Sequence, residues 1–311
     1  MSDYYKKRVE YINKWPDSTP FNAELEYKKL CDAFKENNGR LPFTPMKMWL
    51  SPDAIYNRVL SHIIECLEVI PYEPNHAFNY LFISFDYFSK EKYKGNTTEN
   101  LKFFCDTILS VNNNAIIDNI IEEIFSSTPL NICKFLYKKL SYSNKDKNGN
   151  EKNKELNRII TNANNKKIQA NEELLMDIIK QYDYSNDSDR RKAARLYQII
   201  FRNKTININN KEVRINNKFR LSLLLLGVIY SLRNDALHGS AMSSTKSSKT
   251  DIDRYANNYY SFLSIYTLLM VLLIEGSFSD EKKKETYYNE LLKVTESNIA
   301  DFKLLFHRHL E

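Results

Sequence analysis

Apolar residues recur along most of this chain at the spacing of α-helices. Between positions 77 and 88, five large apolar side chains follow the i, i+3, i+4, i+7 rule that places them on one helix face: Phe78, Leu81, Phe82, Phe85 and Phe88. Further apolar segments lie at 60–67, 101–111, 116–140, 172–182, 189–201, 221–232, 253–275 and 281–306. The pattern predicts a mainly α-helical protein built as a helical bundle.

Breaks interrupt the pattern in the first 70 residues. Pro16, Pro20, Pro45 and the glycine- and proline-containing segment 39–42 separate short helical stretches. No group of residues suited to catalysis occurs among them. We therefore predict that residues 1–70 form an appended helical region.

Two segments in the middle of the chain depart from helical spacing. Residues 141–170 are rich in asparagine and lysine and offer little to bury, which predicts a polar, loosely held insertion. Polar and apolar residues alternate over 205–216, which predicts a small β-hairpin insertion. We expect a helical bundle over 71–278 to contain both segments, with a C-terminal amphipathic helix over 279–311.

The composition agrees with long helices around a large core. The chain is 42% hydrophobic and has 6 glycines and 8 prolines among 311 residues, so helix breakers are few. Four scattered cysteines form no C-x-x-C pair, so neither a zinc site nor a disulfide framework is predicted: Cys31, Cys66, Cys105 and Cys133. The most apolar stretch, 259–274, is short and interrupted by Ser and Thr, so we interpret it as a buried helix. We predict a cytoplasmic protein with no membrane contact.

Positive charge is concentrated in one region. The net charge of the chain is +6, but residues 138–220 hold 20 Lys and Arg against 10 Asp and Glu. Such a region suits a polyanionic partner. The predicted helix over 189–201 carries Arg190, Arg191 and Arg195 in its first turns, and we predict that these arginines bind RNA phosphates. The alternative is a solvated lysine-rich surface.

The apolar helix over 221–232 ends in an unusual polar cluster that contains Arg233, Asn234 and His238. Asn234 and His238 are four residues apart and would share a helix face. A guanidinium binds phosphate, an imidazole transfers protons near neutral pH, and an amide orients either group. These three residues are the predicted catalytic set, with no metal and no cofactor. The alternative is that Arg and His cap a helix C-terminus, with Gly239 as the residue after the cap.

The cluster resembles a known motif. Arg233-Asn234-x-x-x-His238 is similar to the R-x(4–6)-H motif of HEPN-domain ribonucleases, in which a polar residue typically follows the arginine. The string YSLRNDALHGS resembles the motif helix of HEPN ribonucleases in bacterial defence and toxin systems and in RNA-targeting CRISPR effectors. Residues 77–88 resemble the aromatic first helix of some HEPN families. The resemblance implies a helical bundle that dimerises and joins two motif copies in one composite site.

By this resemblance Arg233 would stabilise the phosphate, His238 would act in acid–base chemistry, and Asn234 would orient. The predicted function is a metal-independent endoribonuclease of the HEPN class, acting as a toxin or anti-phage defence effector. The expected partners are RNA, a second copy of the chain, and an antitoxin or defence complex. Apolar surface on 221–232 and 259–274 is expected to meet that second copy or to lie inside the core.

Two alternatives stay open. A non-catalytic HEPN-fold module could bind RNA or dimerise within a defence complex. A helical interaction protein could carry its basic surface incidentally.

Overall fold

A computed structural model describes residues 3–112, 114–142, 144–145, 151–209, 211–237 and 245–310. Over these residues the chain forms fourteen α-helices: α1 (Asp3–Asn13), α2 (Asn22–Asn38), α3 (Ala54–Val69), α4 (Pro74–Tyr93), α5 (Thr97–Thr107), α6 (Asn114–Ser126), α7 (Leu130–Ser141), α8 (Lys154–Ile160), α9 (Gln169–Gln181), α10 (Asp187–Phe201), α11 (Asn217–Ser222), α12 (Tyr230–Leu237), α13 (Ile252–Ser277) and α14 (Glu281–Phe306). A π-helical segment, Leu223–Ile229, joins α11 to α12.

Strands are few and short in the described part of the chain. β1 (Asn144–Lys145) pairs with β2 (Glu151–Lys152), and β3 (Ile206–Ile208) pairs with β4 (Lys211–Val213), both antiparallel. The second pair is the hairpin that the alternating pattern predicts. The predicted mainly α-helical fold with a small β-hairpin is confirmed.

Polar side chains and prolines set the helix boundaries. The side chain of Asn96 accepts a hydrogen bond from the backbone N–H of Glu99, and the side chain of Glu99 accepts one from the backbone of Asn96, so α5 begins with a capping box. Asp280 caps the first turn of α14. The apolar segment 116–140 forms two helices, α6 and α7, because Pro129 separates them and lies just before α7.

Helix α13 lies at the centre of the core. Most of its residues are buried, and it packs against α4 and α14. Its 26 residues, with a mean hydropathy of 1.5 over the most apolar stretch, would suffice to cross a membrane, but 83% of that stretch is buried inside the protein. This burial is typical of a core helix and agrees with the predicted buried helix over 259–274.

The first 70 residues share this core. Tyr27 of α2 stacks on Tyr255 of α13 with ring centroids 4.2 Å apart. The hydroxyl of Tyr259 donates to the carbonyl of Pro42. Arg40 forms a bidentate ion pair with Asp301 of α14, at 2.6 and 2.8 Å. The region predicted as appended is helical, and its buried side chains are continuous with those of the bundle.

Part of the predicted polar insertion is buried, which differs from the expectation of a loosely held segment. Leu156, Ile159 and Ile160 on α8 are buried, and α8 packs against the π-helical segment. These apolar residues occupy one helix face within a stretch dominated by Asn and Lys, so composition alone hid them. Residues 146–150 of the insertion lie outside the described residues.

The π-helical segment is the core element closest to the motif. All seven of its residues are buried. The sequence predicts an ordinary helix over 221–232; the structure starts the helix at Asn217 and widens it over Leu223–Ile229. A Cβ on Gly227 would lie 2.7 Å from Leu136 Cδ1 and 3.0 Å from Ile159 Cδ1. Glycine therefore lets α7 and α8 approach this backbone closely, and short π-helical stretches often accompany functional sites.

We expect Gly227→Ala to lower the free energy of unfolding by about 1–2 kcal/mol, because overpacking outweighs the better helix propensity of alanine. Urea denaturation would measure the change. Leu136→Val removes the nearest methyl carbon, Leu136 Cδ1. In the Leu136→Val background, Gly227→Ala should therefore cost less free energy of unfolding than it does in the wild type. A Gly227→Ala protein as stable as the wild type would show that the close approach is unimportant.

Candidate functional site

Helix α12 carries two of the three predicted catalytic residues. Arg233 and Asn234 are neighbours on α12 and are both partly buried. His238 comes one residue after the end of α12 and lies outside the described residues, as does Gly239. The structure therefore defines the surroundings of Arg233 and Asn234 and leaves the histidine a prediction from the sequence.

Two neighbours hold the Arg233 side chain. Its Nη1 donates to Asn234 Oδ1 at 3.0 Å, and its guanidinium carbon lies 5.6 Å from the ring centroid of Phe82 on α4. Among the residues that the structure describes, no carboxylate lies within ion-pair distance of Arg233. The cation is held by a neutral amide and an aromatic ring, which leaves its charge available to a phosphate.

A chain of contacts links Arg233 to a second arginine. Phe82 stacks on Tyr230 with centroids 6.3 Å apart, and the Arg158 guanidinium lies 4.5 Å from the Tyr230 centroid. Arg158 Nη2 also donates to Ser231 Oγ at 3.1 Å. We call Arg158, Tyr230, Phe82 and Arg233 the arginine–aromatic ladder. It places two guanidiniums along one side of the motif helix.

In the described part of the chain, the positive charge of Arg158 has no carboxylate in direct contact. Burial lowers the pKa of its guanidinium, although an arginine stays protonated at neutral pH. Its Nε is buried and has no hydrogen-bond partner in the described part of the chain. The positive charge of the ladder is therefore not neutralised by a carboxylate in direct contact.

An ion pair fixes the opposite side of α12. Lys139 Nζ on α7 lies 2.7 Å from Asp235 Oδ1, with the two side chains 20% and 25% exposed. Lys139 also lies 5.4 Å from the ring centroid of Phe135. This pair ties the motif helix to α7, so Asp235 is engaged with lysine rather than with Arg233.

Sequence reasoning did not identify Phe82, Arg158 or Lys139 as parts of the site. Phe82 was expected only as a core residue of the aromatic helix, and Arg158 fell in the segment read as a polar insertion. Lys139 and Asp235 are 96 residues apart. Only tertiary packing joins such distant positions, and no local spacing rule signals them.

The three predicted RNA-binding arginines on α10 have different surroundings. Arg190 donates to the Tyr184 carbonyl at 2.9 Å and to Asp187 Oδ1 at 3.0 Å. Arg191 Nε lies 3.7 Å from Asp187 Oδ2. Arg195 is exposed and makes no hydrogen bond or ion pair with another described residue. The acidic first turn of α10 partly offsets its arginines, and Arg191 and Arg195 remain accessible.

Helix α7 contacts both α10 and α12. It packs extensively against α10, and the ion pair between Lys139 and Asp235 joins it to α12.

The cysteines are poorly suited to nucleophilic chemistry. All four are buried and unpaired. Burial raises the pKa of Cys31, Cys66 and Cys105 to about 12, so their thiols stay protonated at neutral pH. Among the described residues, no group of three or more His, Cys, Asp or Glu side chains has the arrangement of a metal site.

Comparisons with known proteins add no relative to this picture. No protein family, no curated protein and no solved structure matches the chain. The resemblance to HEPN ribonucleases therefore rests on the residues of the motif and on the first-helix pattern.

Proposed function

We propose that this protein is a metal-independent endoribonuclease of the HEPN class, acting as a toxin or an anti-phage defence effector. One observation carries the proposal. Arg233 lies within α12, oriented by Asn234 and Phe82 and without a carboxylate partner among the described residues, five positions before His238. This is the environment that an arginine needs to bind a phosphodiester.

The reaction follows from the groups available. The ribose 2′-oxygen attacks phosphorus, the bond from phosphorus to the 5′-oxygen breaks, and a 2′,3′-cyclic phosphate and a 5′-hydroxyl form. One imidazole accepts the 2′-hydroxyl proton, and an imidazolium gives a proton to the 5′-oxygen. Arg233 would stabilise the additional negative charge on the phosphoryl oxygens in the transition state. One proton is taken up and one is released, so the reaction is balanced and involves no oxidation or reduction.

Two copies of the chain supply the two proton-transfer groups. One imidazole cannot stand on both sides of the phosphorus at the same time, whereas a two-fold dimer offers two. We therefore propose a homodimer in which both motifs face one cleft.

The structure changes the expected dimer surface. The π-helical segment and α13 are buried within this chain, so their apolar surface is not left for a partner. Leu237 at the end of α12 is 61% exposed and directly precedes His238 in the sequence. Its side chain would supply apolar surface where a second copy brings its own motif.

Incubation of the purified protein with end-labelled single-stranded RNA in excess EDTA tests the proposal. We expect discrete cleavage products that increase with time and protein concentration. An intact substrate at every protein concentration, with a control ribonuclease active in the same buffer, would contradict the proposed activity.

A non-catalytic RNA-binding module is the second candidate, because Arg191 and Arg195 are accessible on α10. Such a module would bind RNA at low salt, lose affinity as salt rises, and leave the RNA intact. Binding with cleavage favours the enzyme, and binding without cleavage favours the module.

We expect Asn234→Ala to lower the cleavage rate about tenfold, because the Arg233 side chain loses the acceptor that orients it. Asn234→Asp keeps an acceptor at the same place but adds a carboxylate that competes with the phosphate. It should therefore raise KM more than Asn234→Ala does. Steady-state kinetics separate the two effects, and an unchanged cleavage rate in Asn234→Ala would contradict the orienting role of Asn234.

Charge reversal on α10 should weaken RNA binding. Arg191→Glu with Arg195→Glu should lower affinity and reduce the slope of log K against log salt by about 1–2, without moving the cleavage position. The matched control is Lys282→Glu with Lys283→Glu at the exposed start of α14. An unchanged salt slope in the α10 variant would show that these arginines form only a solvated face.

A further inference from the structure

A partly polar cavity lies beside α8. It has a volume of about 230 Å³ and lies among α5, α8, α9, α11 and the π-helical segment. Apolar side chains form part of its wall, among them Ile159, Phe219 and Leu226. The rest of the lining is polar and includes two lysines, one aspartate and several asparagines.

Lys102 is the unusual residue of this cavity. Its side chain is almost fully buried, at 5% exposure for the residue. Its Nζ donates to Thr161 Oγ1 at 2.5 Å and to Asn165 Oδ1 at 3.1 Å, both neutral oxygens. Within the described part of the chain no carboxylate lies within ion-pair distance of this ammonium. A buried cation that contacts only neutral groups is costly unless an anion joins it.

The carboxylate in the cavity is already engaged elsewhere. Asp106 Oδ1 lies 2.9 Å from Lys218 Nζ, and Asp106 Oδ2 accepts the backbone N–H of Ala163 at 2.8 Å. Lys218 and Asp106 therefore offset each other, and the charge of Lys102 is left over. Burial is the main cause that lowers the pKa of Lys102; the nearby charges of Asp106 and Glu99 act in the opposite direction, and the charge of Arg158 lowers the pKa further. The cavity thus has an excess of one positive charge.

Hydrogen-bond donors are also left at the rim. Asn171 and Asn216 both line the cavity, and their side-chain amide nitrogens donate to no other described residue. An anionic group between Lys102 and these amides would receive a charge-assisted hydrogen bond from the ammonium and further bonds from the amides.

The size of the cavity limits the ligand. It holds far more than a single water, whose share of liquid volume is about 30 Å³. It is smaller than the sites of about 300–1,000 Å³ that take drug-sized ligands. The lining combines one excess cation, amide donors and an apolar wall, so the complementary ligand has one negative charge and a small apolar body.

We propose that this cavity binds a small organic monoanion, with its charged group on Lys102 and its apolar part against Ile159, Phe219 and Leu226. This site is separate from the Arg233 motif and does not depend on ribonuclease activity. Leu226 belongs to the π-helical segment, so the bound molecule would contact the element that leads into α12.

Isothermal titration calorimetry at constant ionic strength tests the proposal with defined probes. Butyrate and benzoate represent carboxylates, dimethyl phosphate represents a phosphodiester, and butyramide and benzamide are the uncharged controls. We expect at least one monoanion to bind once per chain with a Kd of about 1 mM or below, and the amides to bind at least about tenfold more weakly. Which monoanion binds more tightly identifies the charged group.

Two variants locate the site. Lys102→Met keeps the apolar stem and should weaken binding about tenfold or more. Asn171→Asp adds a negative charge at the rim, within the first turn of α9 where Asp is well tolerated, and should weaken binding several-fold. Asn289→Asp on α14 is the matched control and should leave the Kd unchanged. If Lys102→Met fails to fold, the Kd of Asn171→Asp alone shows whether the monoanion binds in this cavity.

Three results would overturn the proposal. These are the absence of binding by every monoanion to the wild type, equal binding of monoanions and amides, and a Kd that neither cavity variant changes. The RNA cleavage assay of the same preparations reports on the motif independently, so the failure of one proposal is distinguishable from the failure of the other.

Discussion

Replacing Arg233 or His238 by alanine is expected to lower the rate of RNA cleavage at least about 100-fold in each case. Arg233→Ala removes the guanidinium that would stabilise the phosphoryl oxygens. His238→Ala removes proton transfer to and from the ribose oxygens. Because the two groups act in one step, the double variant should lose little more than either single variant.

The fold should survive both substitutions. Arg233 is only partly buried and contributes one hydrogen bond to Asn234 and one contact with Phe82. Loss of such contacts costs about 1–2 kcal/mol, which a domain of this size tolerates. Circular dichroism and thermal melting should therefore match the wild type within a few degrees.

The controls are an arginine and a histidine away from the motif. Arg254→Ala on α13 and His76→Ala on α4 change exposed residues and should keep full activity. A folded Arg233→Ala or His238→Ala protein with wild-type activity would show that the motif is not the catalytic site. Loss of activity in the control variants would point to a different site.

Mixing wild-type subunits with a tenfold excess of His238→Ala subunits is expected to reduce activity per wild-type subunit about tenfold. A composite site needs one histidine from each copy, and under this excess only about one wild-type subunit in eleven has a wild-type partner. A site complete within one chain would keep the same activity per wild-type subunit. The experiment needs subunit exchange, which a pull-down of differently tagged copies verifies.

A mixed dimer of Arg233→Ala and His238→Ala chains tests the need for two histidines in a second way. It holds only one imidazole, so it should stay inactive whether one Arg233 or two are needed. Sedimentation of the wild type should show a dimer at the assay concentration. A monomer that cleaves RNA at the full rate would exclude the composite site.

The fold was largely predictable where local signals are strong. The predicted helix over 281–306 coincides with α14, because Asp280 caps its start and its apolar residues keep one face buried. The hairpin over 205–216 was predictable since alternation around Asn209 is a local pattern. Helix α13 was predicted as a buried helix, and its length and apolar composition make that burial evident.

Features that depend on packing were not predictable. The π-helical geometry of Leu223–Ile229 comes with the close approach of α7 and α8 at Gly227, which no periodicity encodes. The burial of α8 was missed because three apolar residues are diluted by Asn and Lys. In the site, Arg233 and Asn234 were found since they are adjacent in sequence, whereas Arg158 and Phe82 come from other helices.

The most direct test of the proposed reaction is cleavage of a defined single-stranded RNA in EDTA, compared with the same RNA carrying one 2′-deoxynucleotide immediately 5′ of the cleaved bond. We expect a 2′,3′-cyclic phosphate and a 5′-hydroxyl at the cleaved bond of the all-ribose substrate, and no cleavage at that bond once its 2′-hydroxyl is missing. Cleavage of the deoxy-substituted bond at an undiminished rate, or products with a 5′-phosphate, would contradict 2′-hydroxyl attack at an Arg233–His238 site.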